Sequence, residues 1–437
     1  MNWKQAYKEK LTTAAEAVKH IPNDSTVILA HNVGEPTTLI NAMIENREQY
    51  HDVKIRHMLR LGGVDFTTPG YEKHFREIPW FASGNTRAAI AEGRGDFTPS
   101  FFHEIPRHIR EGIVDCDVVM FQVSSPDAHG YCSLGTSVDY TYQSVKSGKT
   151  KIAQVNKNMP RTWGDGLVHV SEFDYIVEAD DELFEIPRPV IGDVEKAIGE
   201  HCASLIEDGS TLQLGIGAIP DAVMLFLKDK KDLGIHSEMI SDGTLDLYNS
   251  GVITGLKKSE NIGKMTVGFL MGTKELYDFV DDNPAVEMRE IDYVNHPMVI
   301  ARQHKMVSVN SAIQVDLQGQ INAEAIGYKQ FSGVGGQVDF IRGAAMAPDG
   351  KSIIAMPSVT IKRDGSMISK IAVSLDEGAP VTTSRCDADY IITEYGIAHL
   401  KGKTLRERAK ALISIAHPDA RAELIEEFEK RFNEKHS

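Results

Sequence analysis

The chain has 437 residues, 42% of them apolar and 25% charged, a balance that fits two domains with packed cores and excludes a disordered or collagen-like polymer. Its formal net charge of −15 repels polyanions and disfavours a nucleic-acid partner, so a phosphate-bearing ligand has to be held by backbone amides or a few placed cations. Cys116, Cys132, Cys202 and Cys386 form no C-x-x-C pair, the opening MNWKQAYKEK has no apolar signal core, and no run approaches a membrane span, so the expectation is a soluble cytoplasmic protein with reduced thiols and no membrane partner.

Apolar residues at Trp3, Tyr7, Leu11, Ala15 and Val18 recur at helical spacing, and PNDSTVILAHNVGEP then reads as turn, strand and strand-end loop. PTTLINAMIENREQY follows as an amphipathic helix with Pro36 in its first turn, and VKIRHML as the next strand. Strands at 117–123 and in KIAQVN, with a helix DYTYQSVKSG between them, continue an alternation that argues for a parallel sheet. Two prolines, a glycine and lost periodicity mark 186–192 as a linker, dividing the chain into domains 1–185 and 193–437.

Beyond the linker, VEKAIGEHCASLIEDG reads as a helix and STLQLGIGAIPDAVMLFLKDK as strand, glycine turn and helix, so two similar α/β halves are expected. GIHSEMISDG reads as a glycine-bounded turn carrying Glu238 among apolar neighbours. At the C-terminus Thr404 and Glu407 have capping-box spacing, and Pro418 opens a final helix.

Two glycine clusters concentrate bare backbone, Gly215 and Gly217 in LGIGAIPDAV and Gly333, Gly335 and Gly336 in FSGVGGQVDF. Pro220 stands where a dinucleotide fingerprint needs its third glycine, so the first cluster does not predict NAD binding, and a tight strand-to-helix turn accounts for it equally well. Glu238 alone reads as a structural acid or a reactive carboxylate. His31, Asn32 and Glu35 end the first strand and are candidates for a pocket wall or for an ordinary polar loop. No metal-ligand spacing, G-x-S-x-G elbow or Walker A sequence is present.

LQLGIGAIPDAV, GIHSEMISDG, FSGVGGQVDF and TEYGIAHLKGKTLRERAKALISIAHPD, with EP after the first strand and the SPDAHGYCSLG turn, resemble the acetyl-CoA hydrolase/transferase family over nearly the whole chain. The resemblance implies two open α/β domains of the CoA-transferase fold with the active site in the cleft between them. It carries the catalytic role onto Glu238, CoA contacts onto Gly215, Ile216, Gly217, Ala218 and Ile219, and a second contact onto Gly335 and Gly336. The implied substrates are an acyl-CoA, acetyl-CoA as donor, and a short-chain carboxylate, 4-hydroxybutyrate or butyrate, with no metal; hydrolysis through the same glutamate is the rival reaction. Lys362 is a candidate cation for the CoA phosphates, with Arg363 or Lys370 beside it in sequence, and Gln213 and His31 are candidate oxyanion or substrate contacts. A homodimer or higher homo-oligomer is expected, as for most soluble enzymes.

Overall fold

The computed structural model describes residues 2–62 and 66–436. The chain forms two compact units, residues 1–187 with 264–295, and residues 188–263 with 296–437. The first break falls within the 186–192 segment, but a single cut at the linker does not describe the chain, because 264–295 returns to the first unit. Strand pairing is the reason: Met265–Leu270 pairs with Val286–Met288, which pairs with Trp163–Gly164, and the N–H groups of Val138 and Asp139 donate to the Gly268 carbonyl at 3.1 Å. Bonds between such distant positions leave no local pattern to read.

In the first unit, β1 (Thr26–Leu29), β2 (Val53–Arg56), β3 (Phe75–Glu77), β4 (Val118–Val123), β5 (Thr150–Val155) and β6 (Tyr175–Glu178) form a parallel sheet in the order β3-β2-β1-β4-β5-β6. Its central strands are apolar almost throughout because both faces are covered. Val27, Leu29, Val118, Met120 and Ile152 pack with Leu39 and Met43 of the helix Thr37–Glu45. The N-terminal helical periodicity is interrupted. The helix α1 (Trp3–Lys10) stops where Leu11 bridges to Ile176, and Thr13 then caps the short helix Ala14–Ala17 by accepting from the Glu16 N–H at 3.2 Å.

The second unit carries β7 (Thr211–Leu214), β8 (Gly234–Ile240), β9 (Met306–Asn310), β10 (Lys351–Ala355), β11 (Tyr390–Thr393) and β12 (Gly396–His399), ordered β12-β11-β10-β9-β7-β8. All pairs are parallel except the terminal hairpin β11–β12. From β7 the chain passes to β8 on one side and later to β9 on the other. The crevice beyond the C-terminal end of β7 is therefore a topological switch point, where open α/β sheets bind ligands. Near the C-terminus, the helix α2 (Leu405–Ile415) begins on the expected capping box, with the Thr404 N–H donating to Glu407 at 2.8 Å and the Glu407 N–H to Thr404 Oγ1 at 3.3 Å. Its Leu412 and Ile413 pack on Ile354 and Ile391 with Phe428 of the last helix, Arg421–Phe432. Among the described residues no helix is long and apolar enough to cross a membrane.

One acid of the first unit makes stability pH-dependent. Glu290 has a buried Oε1 without a hydrogen-bond partner among the described residues. Burial, reinforced by Asp292 and Asp165 and opposed by Arg110, pushes its carboxyl up to about 8. A raised carboxyl pKa means that the folded state binds the proton more tightly than the unfolded state, so stability falls as pH rises between the ordinary carboxylate range and about 8. Glu290→Gln is expected to melt at the wild-type temperature at pH 4.5 and above it at pH 9. Parallel melting curves at the two pH values would refute this account.

Candidate active site

The turn that follows β7 is Gly215-Ile216-Gly217, and the helix Ala218–Leu225 starts directly after it. Gly217 has φ +124° and ψ −178°, a conformation essentially confined to glycine. A Cβ at either Gly215 or Gly217 would meet nothing within 4 Å, so these glycines are not enforced by packing. Bare backbone beside open space, running into a helix N-terminus, suits an electron-rich ligand atom. Ile216, Ala218 and Ile219 are partly buried along the same turn.

Glu238 lies on strand β8 and not on a turn, which corrects the sequence reading. The polar residues that suggest a turn, His236 and Ser237, are buried at 0% and 1% exposure, so the strand is internal despite its composition. Thr211 pairs with Gly234 and Leu212 with Ile235, and the Ser237 hydroxyl donates to the Leu214 carbonyl at 3.1 Å. Continued along both strands, this register sets Glu238, two residues before the end of β8, level with Gly215, just past the end of the adjacent parallel strand β7. Glu238 is only partly buried, unlike the six residues that share its strand.

The second glycine cluster leads into the helix α3 (Gln337–Met346), which carries the chain from β9 to the parallel strand β10. A crossover helix begins at the end of the sheet where the preceding strand finishes, so Gly335, with φ +54°, and Gly336 stand at the same edge as Glu238. The ring of Phe340 in α3 lies 6.3 Å from the ring of His236 in β8, which ties this helix to the strand of Glu238. Gln213 points its amide into the sheet end, where it accepts from Asn310 Nδ2 at 3.0 Å and donates to Asn310 Oδ1 and the Val309 carbonyl at 3.4 Å. The sequence reading overlooks Gln337, which is 8% exposed and whose Nε2 has no hydrogen-bond partner among the described residues. Its one sequence signal is its place directly after Gly335-Gly336.

The other candidates have the following surroundings. Lys362 and Arg363 sit at the exposed tip of the hairpin Val359–Ile361/Met367–Ser369, held by the Lys362 N–H on the Ser366 carbonyl at 2.8 Å. Lys370 is partly buried, which pulls its ammonium pKa down against the pull of Glu394. His31, in the first unit, is 2% exposed, with Nδ1 at 2.9 Å from Asp139 Oδ2 and its ring packed on Phe102, Tyr140 and Phe269. Next to it, Asn32 has φ +59°, and neither Oδ1 nor Nδ2 of its buried side-chain amide has a hydrogen-bond partner among the described residues. Glu35 is 1% exposed, 3.5 Å from the Arg60 guanidinium, and burial pushes its carboxyl pKa up.

The acetyl-CoA hydrolase/transferase N-terminal domain model matches residues 1–187, and the C-terminal domain model of that family matches residues 272–428. Over 432 residues the chain is 58% identical to 4-hydroxybutyrate coenzyme A transferase of Clostridium kluyveri, covering 99% of this chain and 100% of that protein. It is 37% identical over 437 residues to butyryl-CoA:acetate CoA-transferase of Anaerostipes caccae, covering 98% of each. The crystal structure of 4-hydroxybutyrate CoA-transferase from Porphyromonas gingivalis superposes with a TM-score of 0.85 at 39% identity, over 99% of this chain and 100% of that one. With both domain models matched in chain order and relatives aligned along its whole length, the chain belongs to the acetyl-CoA hydrolase/transferase family.

Proposed function

We propose that the protein is a CoA-transferase that moves CoA from acetyl-CoA to a short-chain carboxylate, 4-hydroxybutyrate, with Glu238 as the nucleophile. The observation that carries this reading is the register that sets a partly buried glutamate beside a bare glycine turn at a switch point. The 58% identity to a 4-hydroxybutyrate coenzyme A transferase supports the choice of acceptor.

The Glu238 carboxylate adds to the thioester carbonyl, the C–S bond breaks, and CoA leaves as a thiolate from a mixed acetyl-glutamyl anhydride. The thiolate adds to the glutamyl carbonyl, acetate departs, and a glutamyl-CoA thioester remains on the chain. The acceptor carboxylate then attacks that thioester and expels the thiolate, and the thiolate takes the acyl group from the second anhydride. Glu238 is regenerated, no net proton moves, and one thioester replaces another, so no ATP is consumed. The backbone N–H groups at 215–219 and at Gly335 and Gly336 are the proposed contacts for CoA and for oxygens that gain charge. Lys362 at its hairpin tip is the proposed cation for the phosphates, and the same reading places the enzyme in the cytoplasm as a homo-oligomer.

Intact-protein mass after incubation with acetyl-CoA tests the proposal. An adduct of CoA minus water, mapped to the peptide holding Glu238 and discharged by 4-hydroxybutyrate, is the expected result. Transfer of CoA without any adduct would remove Glu238 from the pathway. An adduct that decays in buffer as fast as it does with a carboxylate would identify a hydrolase.

A further inference from the structure

Gln337 is the first residue of α3, it is 8% exposed, and among the described residues its Nε2 has no hydrogen-bond partner. Its backbone is engaged, since its N–H donates to the Val334 carbonyl at 3.2 Å. A buried, unpartnered amide costs stability, and native proteins keep such groups where another role requires them.

Its position follows from two periodicities. Gln337 and Phe340 are three residues apart and share one face of the helix, and the ring of Phe340 meets the ring of His236 at 6.3 Å. His236 and Glu238 are two residues apart and share one face of β8. Because α3 connects parallel strands, it runs against them. Going from Phe340 back to Gln337 moves about 4.5 Å toward the strand ends. Going from His236 on to Glu238 moves about 6.6 Å in the same direction. Gln337 thus shares the face of α3 that carries Phe340 and is displaced from it toward the strand ends, as Glu238 is displaced from His236 along β8.

We propose that Gln337 is a further catalytic residue, its Nε2–H donating to the carbonyl oxygen that becomes an oxyanion when Glu238 adds to the thioester. The inference rests on Glu238 being the nucleophile. As the carboxylate bonds to the carbonyl carbon, the π electron pair moves to oxygen, and when the C–S bond breaks the pair returns. Gln337 donates a hydrogen bond throughout and exchanges no proton. A neutral amide suits this place, because a lysine would pair with Glu238 and weaken it as a nucleophile, and a second carboxylate would repel the oxyanion.

The test follows adduct formation on Glu238 in a rapid-quench mass experiment with acetyl-CoA, together with steady-state transfer, for the wild type, Gln337→Ala and Gln337→Met. Methionine keeps the length and apolar packing of the side chain and removes the donor. Both variants are expected to form the adduct about 10²–10³-fold more slowly and to lose kcat to match, with KM for acetyl-CoA within about threefold of wild type. If the alanine variant does not fold, the methionine variant decides alone. A methionine variant with a wild-type rate of adduct formation overturns the role of Gln337 while leaving Glu238 in place. Absence of any adduct on wild-type Glu238 overturns both.

Discussion

Glu238→Ala is expected to lower CoA transfer by at least about 10⁴-fold and to abolish the covalent adduct, because a nucleophile that forms two successive covalent intermediates has no substitute among its neighbours. Ser237 hydrogen-bonds the Leu214 carbonyl, and His236 is buried against Phe340, so neither is placed to replace it. Glu238→Asp keeps the charge but withdraws the carboxylate by one methylene, and about 10²-fold of the rate is expected to go with it. Stability is expected to stay within about 1 kcal/mol of wild type for both, since the side chain is partly exposed. Exchange of label between acetate and acetyl-CoA measures this without any choice of acceptor. An alanine variant that retains a hundredth of the wild-type exchange would return Glu238 to a structural role.

Gly217→Ala has the second largest expected effect, and it separates two reasons for glycine in one turn. At φ +124° and ψ −178° a Cβ strains the backbone, and a cost of about 1–3 kcal/mol is expected, visible as a melting temperature lowered by several degrees. The displaced turn is also expected to raise KM for acetyl-CoA about tenfold or more. Gly215→Ala provides the contrast, because its backbone lies outside the positive-φ region and its Cβ would meet nothing within 4 Å. Its melting temperature is expected to be unchanged, yet its KM for acetyl-CoA is expected to rise, since the new methyl enters the space proposed for the ligand. A Gly215→Ala variant with unaltered KM would move the CoA contact away from this turn.

Both predictions depend on features of different legibility. The glycine turn is readable because turn chemistry is local: a β-rich run, two glycines and a helix-forming stretch lie consecutively at 211–225. The capping box of Thr404 and Glu407 is readable for the same reason, as both partners lie within one helical turn. The state of 234–240 is not readable this way. Its glycine, histidine, serine and glutamate suggest a turn, and it becomes a strand because β7 supplies its hydrogen bonds and a buried environment. His31 is similar: its place at the end of the first strand is local, whereas its partners, Asp139 far along the chain and three aromatic rings, are not legible from its neighbours.

The sequence by itself determined the α/β class, the two glycine clusters and the capping box of Thr404 and Glu407, all of them patterns carried by neighbouring residues, while the candidacy of Glu238 came from the family resemblance. Only the tertiary structure decided that 264–295 rejoins the first unit, that the strand of Glu238 pairs with the strand preceding Gly215, that the Gln213 amide is engaged by Asn310, and that Phe340, in the helix that begins at Gln337, meets His236 in the strand of Glu238. The physical reason is common to all four. Strand register and helix-on-sheet packing depend on the joint burial of segments far apart in the chain, and a side chain's remaining hydrogen-bond capacity is known only once every neighbour is in place.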